Sequence, residues 1–310
     1  MLPASLILGV LAVALAWPVP LVLAKADWPS RAPATALVLW QAIALAGALS
    51  MIGSLLTFGL IPFGPDLPSA LAGFAAALTT GTPAPDVAHL LALCGAILLS
   101  GHLMLNAALT LVRSGRDRRR HRRLVDLLGT SDPARPGMRI LDSAVPMAYC
   151  LPAFSGSMTV FSAGLLELLD EAEVRAVVEH ERAHLRQRHD LLLVAFRAWR
   201  VSLPWFPVAS RAEREVGRLV ELLADDRARR TVPAASLARA IALIGGSPDL
   251  PDGPDSTEGA DRSASLTRIA RLSRPAAPLP SAGAALVVVS AVALPVLPTA
   301  LLLVPIGIAG

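Results

Sequence analysis

Four stretches of this chain are long and apolar enough to cross a lipid bilayer, and they constrain the fold more than any other feature. A helix needs about 20 residues to cross a hydrocarbon core of about 30 Å. The predicted spans lie at about 4–24, 35–60 and 87–112, and within 275–310. The last span carries no charged side chain, and its prolines predict a kinked or irregular helix.

The charged residues are gathered between the third and the fourth predicted spans. All but two of the 28 Lys and Arg, and all but three of the 24 Asp and Glu, lie between Arg113 and Arg274. A segment of this length can form a core of its own. We therefore expect an α-helical membrane protein with three transmembrane helices in 1–112, an inserted α+β domain at 113–274 (the central domain) and a fourth transmembrane segment in 275–310.

Basic residues predict the orientation of the chain in the membrane. The segment 113–123 contains seven Arg, Lys25 and Arg31 lie between the first two spans, and no Lys or Arg occurs at 61–86. Because cytoplasmic loops carry the excess of Lys and Arg, a multi-pass cell-membrane protein is predicted, with both termini outside and the central domain in the cytosol. Acidic residues interleave with the Arg residues, so we expect no direct nucleic-acid partner.

Local patterns predict the elements of the central domain. Short β-prone runs indicate strands at 139–141, 147–151 and 158–161, the last two joined as a hairpin through 154–157. Asp170 and Glu173 form a capping-box pattern that predicts one helix over 170–203. Further helices are expected from Ser210 to about Arg230, at 236–244 and at 265–272, with a flexible loop over 245–263. In the third span, His89 and His102 are expected to form hydrogen bonds between helices.

One motif carries the chemistry: His180-Glu181-Arg182-Ala183-His184. On a helix, residues four apart lie on the same face, so the two imidazoles can bind one metal ion. Glu181 is offset by about 100° and can reach a water on that metal as a general base. The apolar spacing of the valines before the motif indicates a helix packed against a core. The expected cofactor is one Zn²⁺ per chain, and the expected reaction is peptide hydrolysis.

Zinc needs a third protein ligand, and three residues are candidates. Asp190 fits an extended pattern that requires a glycine where this chain has Gln187. His189 fits neither that pattern nor the same helix face. Glu221 is followed four residues later by Asp225, so one carboxylate can bind the metal while the other accepts a hydrogen bond from a ligand imidazole. Such a pair is often just two charges on a solvated helix face, but this spacing together with the His180–His184 motif about 37 residues upstream, on an expected antiparallel partner helix, favours Glu221 as the ligand and Asp225 as its neighbour.

The runs 148–169, 173–184 and 221–225 resemble the integral-membrane gluzincins, which include the HtpX-like proteases and the BlaR/MecR-type antirepressor peptidases. The resemblance implies a gluzincin-like domain with Glu221 as a zinc ligand, and an edge strand at 158–161 that receives an extended protein or peptide substrate. The His189-Asp190 pair and the placement of the central domain favour the BlaR/MecR-type branch, whose implied partner is a cytosolic transcriptional repressor. The 310 residues include no penicillin-binding sensor, so a β-lactam sensor role is not expected.

A different class of function is a non-catalytic membrane signalling or scaffold protein with a relic metal site. That hypothesis predicts a damaged motif, whereas both histidines and the glutamate of the motif are present. A transporter is not favoured, because the charged residues lie outside the spans and leave few groups to line a path. The sequence therefore predicts a membrane-embedded zinc endopeptidase.

Overall fold

The structure is a computed structural model that describes residues 1–80, 85–132, 137–153, 156–204, 207–246, 258–274 and 277–303. The first elements in chain order are α1 (Leu2–Ala16), α2 (Pro18–Lys25), α3 (Trp28–Arg31), α4 (Pro33–Gly59), a 3-10 turn at Ile61–Phe63, α5 (Leu67–Thr80) and α6 (Val87–Leu128). The strands follow as β1 (Thr130–Ser131), β2 (Met138–Leu141), β3 (Ala148–Ala153) and β4 (Gly156–Ser162). The remaining helices are α7 (Ala163–Leu168), α8 (Glu171–Arg186), α9 (His189–Ser202), α10 (Pro207–Ala228), α11 (Ala234–Gly245), α12 (Glu258–Ser273) and α13 (Ser281–Leu303).

Within the described residues, four helical segments are long and apolar enough to span a membrane. They are Leu2–Lys25, Pro33–Gly59, Val87–Leu128 and Ser281–Leu303, which matches the four predicted spans. Large apolar side chains on these helices stay exposed, for example Val10 at 70% and Leu98 at 71%. Lipid, and not water, is the medium in which such exposure is favourable, so these helices indicate association with a membrane.

The described residues divide into two compact units. The first unit contains Met1–Ala108, Ala198–Glu215 and the residues from Leu279 onward. The second unit contains Leu109–Arg197 and the residues from Val216 to Pro278. The predicted boundaries at 112 and 274 stay predictions, but most of the predicted central domain lies in the second unit.

In the first unit, α1 and α13 pack on α4. The hydroxyl of Ser5 donates to the carbonyl of Ser54 at 3.1 Å, and the hydroxyl of Ser54 donates to the carbonyl of Ser5 at 2.9 Å. A side chain at Gly53 would meet Leu8 and Leu302 at 3.2 Å. Small residues and hydroxyls of this kind let helices approach closely where no hydrophobic force acts between them.

The prediction for the two histidines of the third span is confirmed. Nδ1 of His89 lies 2.8 Å from the carbonyl oxygen of Phe58 in α4, and Nε2 of His102 lies 2.8 Å from that of Ser202 in α9. Each ring therefore bonds a backbone carbonyl of another helix of the first unit. Neither histidine takes part in the candidate metal centre.

The second unit contains a four-stranded sheet with the order β1-β2-β4-β3. β3 and β4 form the predicted antiparallel hairpin, whose turn residues 154 and 155 lie outside the described residues. β2 pairs with β4 in parallel, with Met138 opposite Thr159. The expectation that 158–161 is an edge strand is therefore wrong, because β2 covers the other side of β4. The edge is formed by β3.

Each face of this sheet packs against a different helix. Phe161 of β4 is fully buried with Leu165, Val174 and Val177 of α7 and α8. Val160, the preceding residue, points to the other face and packs with Val125 of α6. Alternation along β4 thus fixes α8 against one side of the sheet.

The helices of the second unit differ from prediction at their ends. The capping box of Asp170 and Glu173 is present at the start of α8. The single helix predicted over 170–203 is broken, because α8 ends at Arg186 and Arg188 adopts a left-handed φ of 50° before α9 begins. α10 begins at Pro207, earlier than the predicted Ser210, since proline is tolerated in a first helical turn. α12 begins at Glu258, inside the predicted 245–263 loop, whose residues 247–257 lie outside the described residues.

Candidate metal centre

The two histidines of the motif project from the same face of α8. Their Nε2 atoms lie 3.1 Å apart. Glu221 of α10 completes the cluster, with Oε2 at 3.3 Å from Nε2 of His180 and Oε1 at 3.4 Å from Nε2 of His184. In the described part of the chain, these three side chains form the group of His, Cys, Asp and Glu that could hold a metal ion.

The spacing of these atoms fits a tetrahedral zinc site. Zinc bonds of about 2.0–2.1 Å to nitrogen or oxygen imply separations of about 3.3–3.4 Å between neighbouring ligands of a tetrahedron. The three observed separations, from 3.1 to 3.4 Å, are close to that value, with the two histidines facing different oxygens of the Glu221 carboxylate. Three protein ligands also leave one coordination position for water or substrate, which is the arrangement of catalytic zinc.

Asp225 lies one helical turn beyond Glu221, on the outer side of the His180 ring. Its Oδ1 atom is 2.9 Å from Nδ1 of His180, although the ring N–H is not aligned for a straight hydrogen bond. Asp225 is 1% exposed and His180 is 7% exposed. A buried carboxylate in this position favours the tautomer of His180 that has its proton on Nδ1 and leaves Nε2 free to bind a metal.

Sequence reasoning missed Arg268 of α12, which holds both carboxylates of α10. Its Nε and Nη2 atoms donate to Asp225 at 2.8 Å each, and Nη1 lies 3.1 Å from Oε2 of Glu221. One turn later, Arg271 makes the same two-pronged contact with Asp226 at 2.7 Å. The two adjacent acids, Asp225 and Asp226, and the two Arg residues one turn apart on α12 could have indicated this pairing. The partners are more than 40 positions apart in the chain, so a local pattern does not connect them.

Glu181 faces the edge strand. Its Oε2 accepts a hydrogen bond from the backbone N–H of Cys150 in β3 at 3.2 Å. Burial raises the pKa of Glu181 above its usual range, as expected for a carboxylate that exchanges protons during a reaction. Burial also raises the pKa of the neighbouring Cys150 thiol to about 11, and in the described residues Cys150 does not belong to the ligand group of His180, His184 and Glu221.

Charges around the cluster suit a cation. Burial opposes ionisation of Glu221, but the hydrogen bond from His180 and the nearby positive charges outweigh it and lower the pKa of Glu221 to about 2. Burial lowers the pKa of His184 to about 4, which keeps its nitrogen available as a ligand. Burial would also lower the pKa of His180, but Asp225 and Glu221 outweigh it and raise that pKa to about 9. The same two carboxylates would attract a divalent metal ion.

The other two ligand candidates lie outside the cluster. Asp190 forms an ion pair with Arg118 of α6. His189 is buried, and its Nδ1 atom lies 3.1 Å from Nδ1 of His184, on the side of that ring opposite Glu221. The structure therefore groups His180, His184 and Glu221, as the spacing of 221 and 225 favoured.

Comparison with known proteins agrees with this chemistry. Residues 113–208 match Peptidase family M48. The matched segment includes α8 and its two histidines, and it ends before Glu221. The match indicates a metallopeptidase domain, and M48 peptidases depend on a metal ion that is typically zinc. No curated protein and no solved structure matches the chain.

Proposed function

We propose that this protein is a membrane-anchored zinc endopeptidase, with His180, His184 and Glu221 as the zinc ligands and Glu181 as the general base. The observation that carries the proposal is the grouping of His180, His184 and Glu221, with separations close to those of a zinc site, beside an M48 match. Four apolar helices supply the anchor. The intact cluster gives no support to the alternative of a non-catalytic scaffold with a relic site.

In the proposed reaction, Glu181 accepts a proton from the attacking water and passes it to the amine that leaves. When bound, zinc supplies a Lewis acid that acidifies water and polarises the peptide carbonyl. Burial raises the pKa of Glu181 towards neutral pH, and a carboxylate with such a pKa can both accept a proton and release it again. Asp225 keeps Nε2 of His180 directed to the metal, and Arg268 holds Asp225 and Glu221 in place.

The edge of β3 that faces away from β4 is proposed to bind the substrate as an extended strand. Ser162 donates its N–H to the carbonyl of Met147, so the main-chain groups of 147 and 149 point toward β4. Those of Ala148 and Cys150 point away from β4, because the direction alternates along an antiparallel strand. The Cys150 N–H reaches Glu181. A peptide that pairs with this edge would therefore pass directly in front of the base.

Replacing Glu181 with Gln tests the proposed activity. We expect a loss of about 10²–10⁴-fold in cleavage of a fluorogenic casein by the detergent-purified chain, because the base is gone. Zinc content should remain that of the wild type. Glu179→Gln is the matched control, since Glu179 lies on the same helix and pairs with Arg182 on its surface. Full activity of Glu181→Gln would exclude this residue as the base.

Replacing Ala148 with Pro tests the docking edge. Proline removes an N–H that points away from β4 and leaves the ladder between β3 and β4 in place. We expect kcat/KM to fall while zinc content stays unchanged, because one hydrogen bond to the extended substrate is lost. An unchanged kcat/KM would place the substrate elsewhere.

The orientation proposal rests on the Arg-rich end of α6. We propose that residues 113–123 and the metallopeptidase domain lie in the cytosol, with both termini outside. The test uses a chain in which Cys94 and Cys150 are replaced by Ser, with either Arg120→Cys or Thr79→Cys added. Each single cysteine is then treated in intact cells with a membrane-impermeant maleimide. Position 79 should react in intact cells, and position 120 only after permeabilisation. The reverse pattern would overturn the orientation.

We further propose a role in regulatory proteolysis, with a cytosolic transcriptional repressor as substrate, in the manner of the BlaR/MecR-type antirepressors. The His189-Asp190 pair after the motif and the position of the domain between the last two spans support this branch. New protein N-termini can be compared between cells that carry the wild type and cells that carry Glu181→Gln. Cleavage of a cytosolic DNA-binding protein would support the proposal, and cleavage confined to membrane proteins would contradict it.

A further inference from the structure

His189 lies against the proposed zinc ligand His184, on the side away from the metal cluster. The Nδ1 atoms of the two rings are 3.1 Å apart, their ring centroids are 4.9 Å apart, and the rings are nearly perpendicular. His189 is 3% exposed. The contact is therefore a hydrogen bond between two imidazoles, and the ring of His189 is almost fully buried.

The chemistry of the imidazole ring fixes the direction of that hydrogen bond. A neutral imidazole has one N–H donor and one acceptor nitrogen. His184 directs Nε2 to the cluster, so a metal there requires the proton on Nδ1. Nδ1 of His184 is then the donor, and Nδ1 of His189 is the acceptor. The proton of His189 consequently sits on its Nε2 atom.

The backbone places His189 at this point by an unusual turn. Arg188, which precedes it, has a φ of 50°, the left-handed conformation that residues other than glycine rarely adopt. The chain changes direction at Arg188, and α9 then begins with His189 as its first residue. Strain held at such a position suggests that the placement of the next side chain matters to the site.

The two ligand imidazoles would be oriented by different chemical groups. His180 faces the carboxylate of Asp225, whereas His184 faces a neutral ring. The site already gathers three carboxylates, those of Glu181, Glu221 and Asp225, and balances them in part with Arg268. A neutral acceptor beside His184 orients that ring without adding a fourth negative charge.

We propose that His189 is a positioning residue that accepts the Nδ1–H of His184 and directs Nε2 of that ring to zinc. This inference rests on the proposed zinc site. Partners of this kind typically contribute about 10–100-fold to metal affinity. His189 touches neither the metal nor the substrate in this role.

A matched pair of substitutions tests the role on the full-length chain in detergent. Gln and Met have similar shapes, but only Gln offers an oxygen that can accept a hydrogen bond. We expect His189→Met to weaken zinc binding by about 10–100-fold in competition with a chromophoric chelator, and His189→Gln to recover most of that loss. The visible absorption spectrum of the Co²⁺-loaded protein should shift in His189→Met and return towards the wild type in His189→Gln.

His121→Met serves as the control, because His121 packs beside Tyr149 and lies outside the metal cluster. It should bind zinc as tightly as the wild type. Equal zinc affinity in the wild type and His189→Met would overturn the positioning role, and so would equal losses in the Met and Gln variants, which would reduce His189 to packing. A wild type that binds no zinc would instead overturn the proposed function.

Discussion

The two units of this protein bury polar groups in different ways. In the first unit, hydroxyl and imidazole groups join the apolar helices α1, α4 and α6 by bonding backbone carbonyls, as Ser5, Ser54 and His89 do, and the ion pair of Arg200 and Glu213 lies apart from these contacts, between α9 and α10. In the second unit, buried contacts join ionised groups, as Asp225 and Arg268 do. Burying a charge costs far more free energy than burying a hydroxyl, and the buried carboxylate of Asp225 borders the candidate metal centre. The contrast separates the contacts that join the apolar helices from those that surround the candidate metal centre.

The largest effect on stability should come from removing one member of the ionic cluster. Asp225→Ala removes the buried carboxylate beside His180 and leaves the partly buried guanidinium of Arg268 without its two-pronged partner. We expect a loss of about 3–5 kcal/mol in the free energy of unfolding. Thermal unfolding in detergent measures it as a large drop in Tm. A Tm close to that of the wild type would show that the cluster does not stabilise the second unit.

Replacing Arg268 with Met should have an effect that depends on zinc. Without the guanidinium, Glu221 and Asp225 repel each other, and a bound divalent ion would offset that repulsion. We therefore expect Tm to fall by more in the metal-free protein than in the zinc-loaded protein. Arg239→Met is a suitable control, because Arg239 pairs with Glu173 and lies outside the metal cluster. Equal decreases with and without zinc would contradict an electrostatic role beside the metal.

The smallest effect should come from the neutral contacts of the first unit. The double variant Ser5→Ala and Ser54→Ala removes two reciprocal hydrogen bonds between α1 and α4. Interhelical hydrogen bonds in membranes average about 0.6 kcal/mol each, so a total near 1 kcal/mol is expected. The same thermal unfolding assay checks this value. A loss as large as that of Asp225→Ala would remove the distinction between the two units.

Local patterns predicted the features that depend on neighbouring residues. Apolar runs located the four candidate spans, the capping box of Asp170 located the start of α8, and the spacing of His180 and His184 placed both rings on one face. These features follow from helix geometry, which is fixed within a few residues. The grouping of Glu221 with the two histidines was favoured for the same reason, because Glu221 and Asp225 repeat that spacing.

Features that depend on distant residues could not be predicted in the same way. The position of β4 inside the sheet is set by its pairing with β2, which a local pattern does not record. The contact of Arg268 with Asp225 spans 43 positions. The break at Arg188 could not be predicted from a local pattern. A left-handed φ is unusual for residues other than glycine, and this position is an arginine. It is this break that carries His189 to the side of His184.

The zinc content of the purified wild type, measured beside Glu221→Ala and Asp190→Ala, tests the central claim most directly. We expect about one zinc per chain in the wild type and in Asp190→Ala, because Asp190 pairs with Arg118 outside the metal cluster. Glu221→Ala should lose the metal, since it leaves only two ligands. No zinc in the wild type after purification without chelators, or zinc retained in full by Glu221→Ala, would contradict the proposed site.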